Sequence, residues 1–336
     1  MKIAEIQNDS IIINEAPSLT LNNRKGAIAQ VLGCGLCGSD IVKFVHKLSP
    51  DGTVPGHEIV ARITEIDSVT DFKTGDVILS SHHVPCGKCS FCKNGNESMC
   101  LQFKNTNIEP GGFSEYIYLS DEHLKNVAYK KPENLSDEEA AFYEPLGCCV
   151  RAIRRTCLPE GSSALVIGLG SIGNIMAQAL NAFGVKAAGF DLKRERMDIL
   201  ENIWNSEPGE TFTPHAELSP YDAVFMTSGA DAAIETALKS VRDGGKIIVF
   251  SSTPKNSGYV NNEIYYRELT VTGSYSPAPE DLKTSLNLLA SGKVNVKNLS
   301  EVYDFEDINQ AFKDAIANKV FKAYIKIVNH PIKELR

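Results

Sequence analysis

One short run constrains the fold of this chain more than any other: Gly168-Leu169-Gly170-Ser171-Ile172-Gly173 joins an apolar strand pattern at 164–167 to a helical pattern at 172–183. In that context each glycine has its own task. The first makes a tight turn, the second admits backbone N–H groups close to a pyrophosphate, and the third lets helix and strand pack closely. A second strand at 186–190 leads into Asp191, 18 residues beyond Gly173, where a carboxylate can hydrogen-bond ribose hydroxyls and repel a 2′-phosphate. NAD is therefore expected over NADP, although Lys193, Arg194 and Arg196 follow closely and an arginine there can accommodate a phosphate. A helix at 194–203 and strands at 223–226 and 246–250 continue an alternation that predicts a parallel sheet covered by helices.

At 336 residues the chain should hold about two domains, and the region before the glycine loop reads differently. Residues 1–140 show short alternating runs at 27–32, 59–66 and 76–79, punctuated by Gly, Pro and Asn, the pattern of an irregular, mostly β domain. Ser136-Asp137-Glu138-Glu139 starts a linking helix over 135–154 with acids in its first turn. Helices at 278–289 and 305–317 and a strand at 323–328 form a tail that can rejoin the first domain. The expected division is 1–146 for a first domain, 147–272 for a nucleotide-binding domain and 273–336 for the return. Hydrophobic residues at 43% and charged residues at 23% predict an ordinary globular protein. A net charge of −8 argues against nucleic acid as partner. No run of 18 apolar residues occurs, and an opening stretch with Glu5, Asp9 and Glu15 is unlike a signal peptide, so a cytoplasmic location and no membrane partner are expected.

Nine cysteines in such a chain read as metal ligands or inert thiols rather than disulfides. Cys86, Cys89, Cys92 and Cys100 form C-x2-C-x2-C-x7-C, four soft thiolates in one short lobe. The bacterial iron–sulfur run closes C-x3-C-P, and Met99-Cys100-Leu101 has neither that spacing nor the proline, so a closed structural zinc is expected. A second set is dispersed: Cys37, then His57 and Glu58, then Glu144. A Cys, a His and a carboxylate supply three ligands and leave a fourth position for water or an alcohol oxygen, as a catalytic zinc requires. His57 taken alone reads better as a hydrogen-bonded core histidine. His82 and His83 read as adjacent strand residues pointing oppositely, not as ligands. Cys34, Cys148, Cys149 and Cys157 read as small buried hydrophobes.

Taken together, Gly35-Leu36-Cys37-Gly38-Ser39-Asp40, Pro55-Gly56-His57-Glu58, the cysteine lobe at 82–103, Gly111-Gly112-Phe113-Ser114-Glu115-Tyr116, Glu144-Pro145-Leu146, the glycine loop and Gly244-Gly245 carry a resemblance. Over nearly its whole length the chain resembles the zinc-containing medium-chain dehydrogenase/reductase family, in particular its sorbitol and other polyol dehydrogenases. The resemblance implies an α/β protein with a GroES-like mostly-β catalytic domain plus a Rossmann doubly wound parallel-sheet coenzyme domain. It implies two Zn2+ per chain and NAD, held by Gly168, Gly170, Ser171, Ile172, Gly173, Asp191 and the cofactor-facing Arg196. Cys37 and His57 match ligands of the catalytic zinc, and Glu58 and Glu144 match carboxylates that ligate it or stand one water away. Ser39 matches the hydroxyl that hydrogen-bonds the substrate alcohol, Asp40 the acid behind the metal site, and Arg267-Glu268 a pair near the polyol and nicotinamide. With Ser39, Glu144 and Arg267 are thus expected at the substrate. Such a metal favours the deprotonated alcohol, whose carbon can then give hydride to the nicotinamide.

The expected function is NAD-dependent oxidation of a secondary hydroxyl on a small polyol, cyclitol or sugar derivative by a homodimer or homotetramer. The rivals are a simple alcohol or aldehyde dehydrogenase and a non-catalytic zinc- and nucleotide-binding protein. Three departures from the family pattern stand out. Val42 occupies the place where relatives often carry a relay histidine. The stretch from Asp191 to the strand at 223 is short and holds Pro208, Pro214 and Pro220, which implies a trimmed third βα unit. Residues 44–55 form a short loop beside the site.

Overall fold

The computed structural model describes residues 1–204, 220–252 and 261–328. The chain divides into two compact units, Met1–Glu144 with Val296–Arg336, and Pro145–Asn295. Among the described residues no helix is long and apolar enough to cross a membrane.

The first unit is built on the strand Gly26–Gly35, whose ten residues pair with three other strands. It runs antiparallel to Glu58–Asp67 along its length, to Tyr116–Ser120 near its start and to Lys322–Lys326 near its end. Val77–Ser80 and Ala128–Lys130 extend the sheet on one side, and Ser300–Asp304 extends it on the other. Alternate side chains, Ala27, Ala29 and Val31, meet Ile59, Ala61, Ile63, Ile117 and Leu119 in one core, each large aliphatic group contributing about 1.5–3 kcal/mol by leaving water. Helices Gly38–Val45 and Ile308–Ile316 join this core through Phe44 and Phe312, whose rings lie 5.2 Å apart. The alternation at the start of the chain is a hairpin, Lys2–Gln7 with Ser10–Glu15.

In the second unit five parallel strands stand in the order Thr270–Gly273, Val241–Val249, Tyr221–Met226, Ser163–Ile167, Lys186–Phe190. Ala164, Leu165 and Val166 are fully buried, which explains their unbroken apolar pattern. The chain starts one strand in from the edge at Ser163–Ile167, steps outward to Lys186–Phe190, and returns on the other side with Tyr221–Met226. The order therefore reverses just beyond Ile167, where ligands of doubly wound sheets bind.

Several expectations are corrected. The linking helix is two helices, Asp137–Ala140 and Tyr143–Thr156. Ser136 and Glu139 cap the first reciprocally at 2.8 and 3.2 Å, and Pro145 lacks the N–H that would carry the ladder across the gap. The return to the first unit, expected at 273, comes at Val296. Thr270–Gly273 is still an edge of the parallel sheet, Asp281 of helix Pro279–Ala290 pairs with Arg154 at 3.0 Å, and Gln178 of the buried helix Ser171–Ala182 clamps Asn295 by two bonds of 2.7 and 3.0 Å. The helix expected at 305–317 opens with a 3-10 turn, Phe305–Asp307. Residues 44 and 45 belong to a helix rather than to the loop, and Cys157, past the end of its helix, is exposed. Pro208 and Pro214, with the trimmed βα unit they suggest, lie outside the described residues.

Candidate functional site

The four sulfurs of Cys86, Cys89, Cys92 and Cys100 lie within 4.8 Å of one another. Cys92 Sγ is 3.6 Å from that of Cys89 and 3.9 Å from that of Cys86, close to the ~3.8 Å edge of a tetrahedron with Zn–S bonds of about 2.3 Å. One-turn helix Ser90–Lys93 and 3-10 turn Glu97–Met99 bring the last two sulfurs back to the first pair. The Cys86 N–H donates to Cys100 Sγ and the Cys89 N–H to Cys86 Sγ, both at 3.4 Å. Burial opposes the Cys100 thiolate, but the N–H groups of Cys86 and Phe103 outweigh it and lower its pKa to about 6. Burial, followed by Cys89, pushes Cys92 up to about 12. Such a set fits zinc, which displaces the thiol protons and needs no further ligand.

The second constellation is Cys37, His57 and Glu58, each offering a ligand atom within 4.8 Å of the others. Cys37 caps the helix Gly38–Val45, its Sγ accepting the Ser39 N–H at 3.5 Å. Asp40, 2% exposed, accepts the Cys37 N–H at 3.3 Å with one oxygen, and its other oxygen lies 3.5 Å from His57 Nδ1. One carboxylate thus caps the helix and fixes the imidazole, leaving Nε2 as the nitrogen that could take a metal. Burial raises the Asp40 pKa, yet His57 and its hydrogen bond prevail and hold it below the usual carboxylate range. Gly56 has φ +94°, and a Cβ there would stand 2.9 Å from Phe113 N. Without one, Gly112 N–H reaches Gly56 O at 2.8 Å and Phe113 N–H reaches Pro55 O at 3.0 Å. The two glycine-bearing motifs are one device that seats His57 and Glu58.

Glu58 is buried at the start of its strand and forms an ion pair with Lys322, itself 5% exposed. Burial works against the Lys322 charge, but Glu58 outweighs it and raises the lysine above its ordinary pKa. Lys322 takes Glu58 Oε2, and Oε1, which has no hydrogen-bond partner among the described residues, keeps its lone pairs for a metal. A Cβ on Gly35 would lie 2.2 Å from Glu58 Oε2, so this pair requires glycine there. Nothing in the sequence around residue 322 announced it. The donor set of thiolate, imidazole and carboxylate fits a catalytic zinc with an open position.

Glu144 is buried at the head of Tyr143–Thr156 and is not among the ligand atoms that converge with Cys37 and His57. Ser39 is exposed beside Cys37. His82 and His83 also lie outside the ligand set, but not by alternation. The strand ends at Ser80, and their rings lie 4.0 Å apart with His82 4.6 Å from the His57 ring. Burial, then the neighbouring His57, holds His82 well below the usual imidazole pKa.

In the second unit Gly168 has φ +94°, a Cβ on Gly173 would strike Gly168 O at 1.9 Å, and a Cβ on Gly170 would meet nothing within 4 Å. The open space over Gly170, at the N-terminus of the helix Ser171–Ala182, is a cradle of the kind a pyrophosphate fills. Asp191 accepts the Leu169 N–H at 2.7 Å and the Lys193 N–H at 2.8 Å, and Arg196 lies 3.3 Å from it. The carboxylate therefore fixes the glycine loop. Arg194 is engaged with Asp198 at 2.7 Å along its own helix. Asp191→Ala is expected to cut the preference for NAD over NADP roughly tenfold and to weaken both cofactors; kcat/KM for each checks this. Equal efficiency with NADP in the unaltered enzyme would count against the assignment.

Arg267 departs from its expected place at the substrate. Its guanidinium donates to Leu238 O at 2.7 Å and to Val241 O, and pairs with Asp243 at 2.7 Å and Glu263 at 3.2 Å. Val241 begins its strand, so Arg267 sits at the end of the parallel sheet opposite the glycine loop and braces the fold there.

Residues 23–131 match the alcohol dehydrogenase GroES-like domain and residues 171–291 match the zinc-binding dehydrogenase family. A probable D-xylulose reductase A of Aspergillus clavatus is 31% identical over 340 residues, covering 93% of this chain and 92% of that protein. An Escherichia coli oxidoreductase/dehydrogenase of unknown specificity superposes with a TM-score of 0.84 at 25% identity, over 98% of this chain and 100% of that one. The galactitol-1-phosphate dehydrogenase of Escherichia coli, at 21% identity, shares the fold with a TM-score of 0.83, over 97% of this chain and 100% of that one. The chain belongs to the zinc-containing medium-chain dehydrogenase/reductase family.

Proposed function

We infer that this protein is a zinc-dependent oxidoreductase that transfers hydride from a secondary hydroxyl of a polyol, cyclitol or sugar derivative to NAD. The observation that carries this is the convergence of Cys37, His57 and Glu58 in a chain whose full-length relatives are named D-xylulose reductases. When bound, zinc acidifies an alcohol and NAD takes hydride from its carbon. The protein's own residues do the rest. Cys37, His57 and Glu58 hold the metal, Asp40 fixes the His57 ring, and Ser39 hydrogen-bonds the reacting hydroxyl. Gly168, Gly170, Ser171, Ile172 and Gly173 seat the pyrophosphate, with Asp191 on the ribose and Arg196 beside it. Cys86, Cys89, Cys92 and Cys100 hold a second zinc that stabilises their lobe. None of the nine cysteines is in a disulfide, which accords with a reducing, cytoplasmic setting; a homodimer or homotetramer accompanies this reading.

The test is a screen of NAD reduction with hexitols, pentitols, inositols, sugar phosphates, ethanol and 2-butanol. At least one polyol is expected to exceed the simple alcohols about tenfold or more in kcat/KM. Turnover of simple alcohols alone would favour a simple alcohol dehydrogenase, and no NADH with any alcohol would favour a non-catalytic protein.

A further inference from the structure

We propose that His82 selects substrates bearing a second oxygen beside the reacting carbinol, its Nε2–H donating to that oxygen. This rests on the polyol reading above. The position follows from the sheet: Ser80 pairs with Ile59, so the chain leaving Val77–Ser80 runs beside His57. There the His82 carbonyl accepts from His123 Nε2 at 3.0 Å, and His123 Nδ1 is tied to Ser120 Oγ at 2.9 Å. The backbone at 82 is thus pinned while its ring lies 4.6 Å from that of His57, tilted by 42°.

The three neighbouring histidines differ in one respect. His123 uses both ring nitrogens, and His83 Nδ1 pairs with Thr106 O. His82 uses neither for a hydrogen bond. Its Nδ1 is shut off from solvent with no partner among the described residues, while the residue as a whole is only partly buried. The accessible nitrogen is therefore Nε2. A buried N–H without an acceptor is costlier than a buried lone pair, so the proton belongs on Nε2, which makes that nitrogen a donor. A core histidine would have both nitrogens satisfied. A metal ligand would converge with Cys37, His57 and Glu58, and His82 does not. What remains is an N–H offered to solvent next to a ligand imidazole. A mono-alcohol gives it nothing to bind, whereas a vicinal diol supplies an acceptor.

The test compares xylitol with 2-butanol in the zinc-loaded enzyme and in His82→Phe, which keeps an aromatic ring and removes the donor. The ratio of kcat/KM for xylitol to that for 2-butanol is expected to fall about tenfold, mostly through KM for xylitol. His82→Gln, which keeps an N–H, should recover part of that ratio, and length-matched His82→Met should not. The Gln and Met pair also serves where the phenyl ring disturbs His57. Disturbance of the metal site alone would lower zinc content and both rates and leave the ratio within twofold of its starting value, which would overturn the proposal. An unaltered enzyme that oxidises no polyol would instead remove the functional reading on which the proposal stands.

Discussion

Brief treatment with a chelator is expected to stop alcohol oxidation, by on the order of 10³-fold or more, before the cysteine lobe loses its metal. The two sites differ in closure. Cys86, Cys89, Cys92 and Cys100 would supply all four ligands of a tetrahedral zinc, whereas Cys37, His57 and Glu58 supply three and would leave the fourth to a competing ligand. Loss of the open-site metal removes several kcal/mol of stabilisation from the developing negative oxygen, which is the stated rate loss. Activity, zinc by elemental analysis and thermal unfolding, followed over the same time course, check this. Two zinc ions per chain should be present at the start and one after inactivation, with the folded lobe intact. Fully active enzyme containing a single zinc would sink the two-site assignment.

Glu144→Gln is expected to lower turnover by about 10²–10⁴-fold while zinc content stays near that of the unaltered enzyme. The reacting alcohol must lose a proton, and Val42 cannot carry one. Glu58 is committed on both sides, to the ligand set and to the buried ion pair with Lys322. We propose that Glu144, a buried carboxylate outside the converging ligand set, takes that proton through water. Glutamine keeps the size and an oxygen while removing the basicity, so metal content and rate can be read separately. Loss of zinc in the variant would assign Glu144 to the metal. Full zinc with unchanged turnover and pH profile would leave solvent as the acceptor.

Features that lie within a few consecutive residues were legible in the sequence. The glycine loop and the cysteine lobe each close on themselves locally, so spacing alone reports their geometry. Cys37, His57 and Glu58 were legible only as a joint pattern, since each is commonplace by itself. Arg267 was misplaced for a physical reason. Which end of a parallel sheet a residue occupies depends on the strand Thr270–Gly273, and four residues with exposed or half-buried side chains leave little periodic signal. The expectation that His82 and His83 diverge assumed that a strand continued through them, whereas it stops at Ser80 and the chain turns toward Cys86. Lys322 could not be read at all, because a lysine opening a strand looks solvated until its distant partner is known.

That last contact fixes when the site can be finished during synthesis. The ligand trio leaves the ribosome with the first 58 residues, but Lys322–Lys326, which pairs beside Gly33 and delivers the compensating charge to Glu58, follows 264 residues later. At roughly 5–20 residues per second the nascent chain spends about 13–50 s with that carboxylate uncompensated. Until then the edge of Gly26–Gly35 that Lys322–Lys326 will occupy stands open, and a buried carboxylate without its partner destabilises whatever packs around it by about 3–5 kcal/mol. A translation product arrested short of residue 322 thus carries Cys37, His57 and Glu58 but lacks the charge beside Glu58, and is expected to retain less metal than the completed chain.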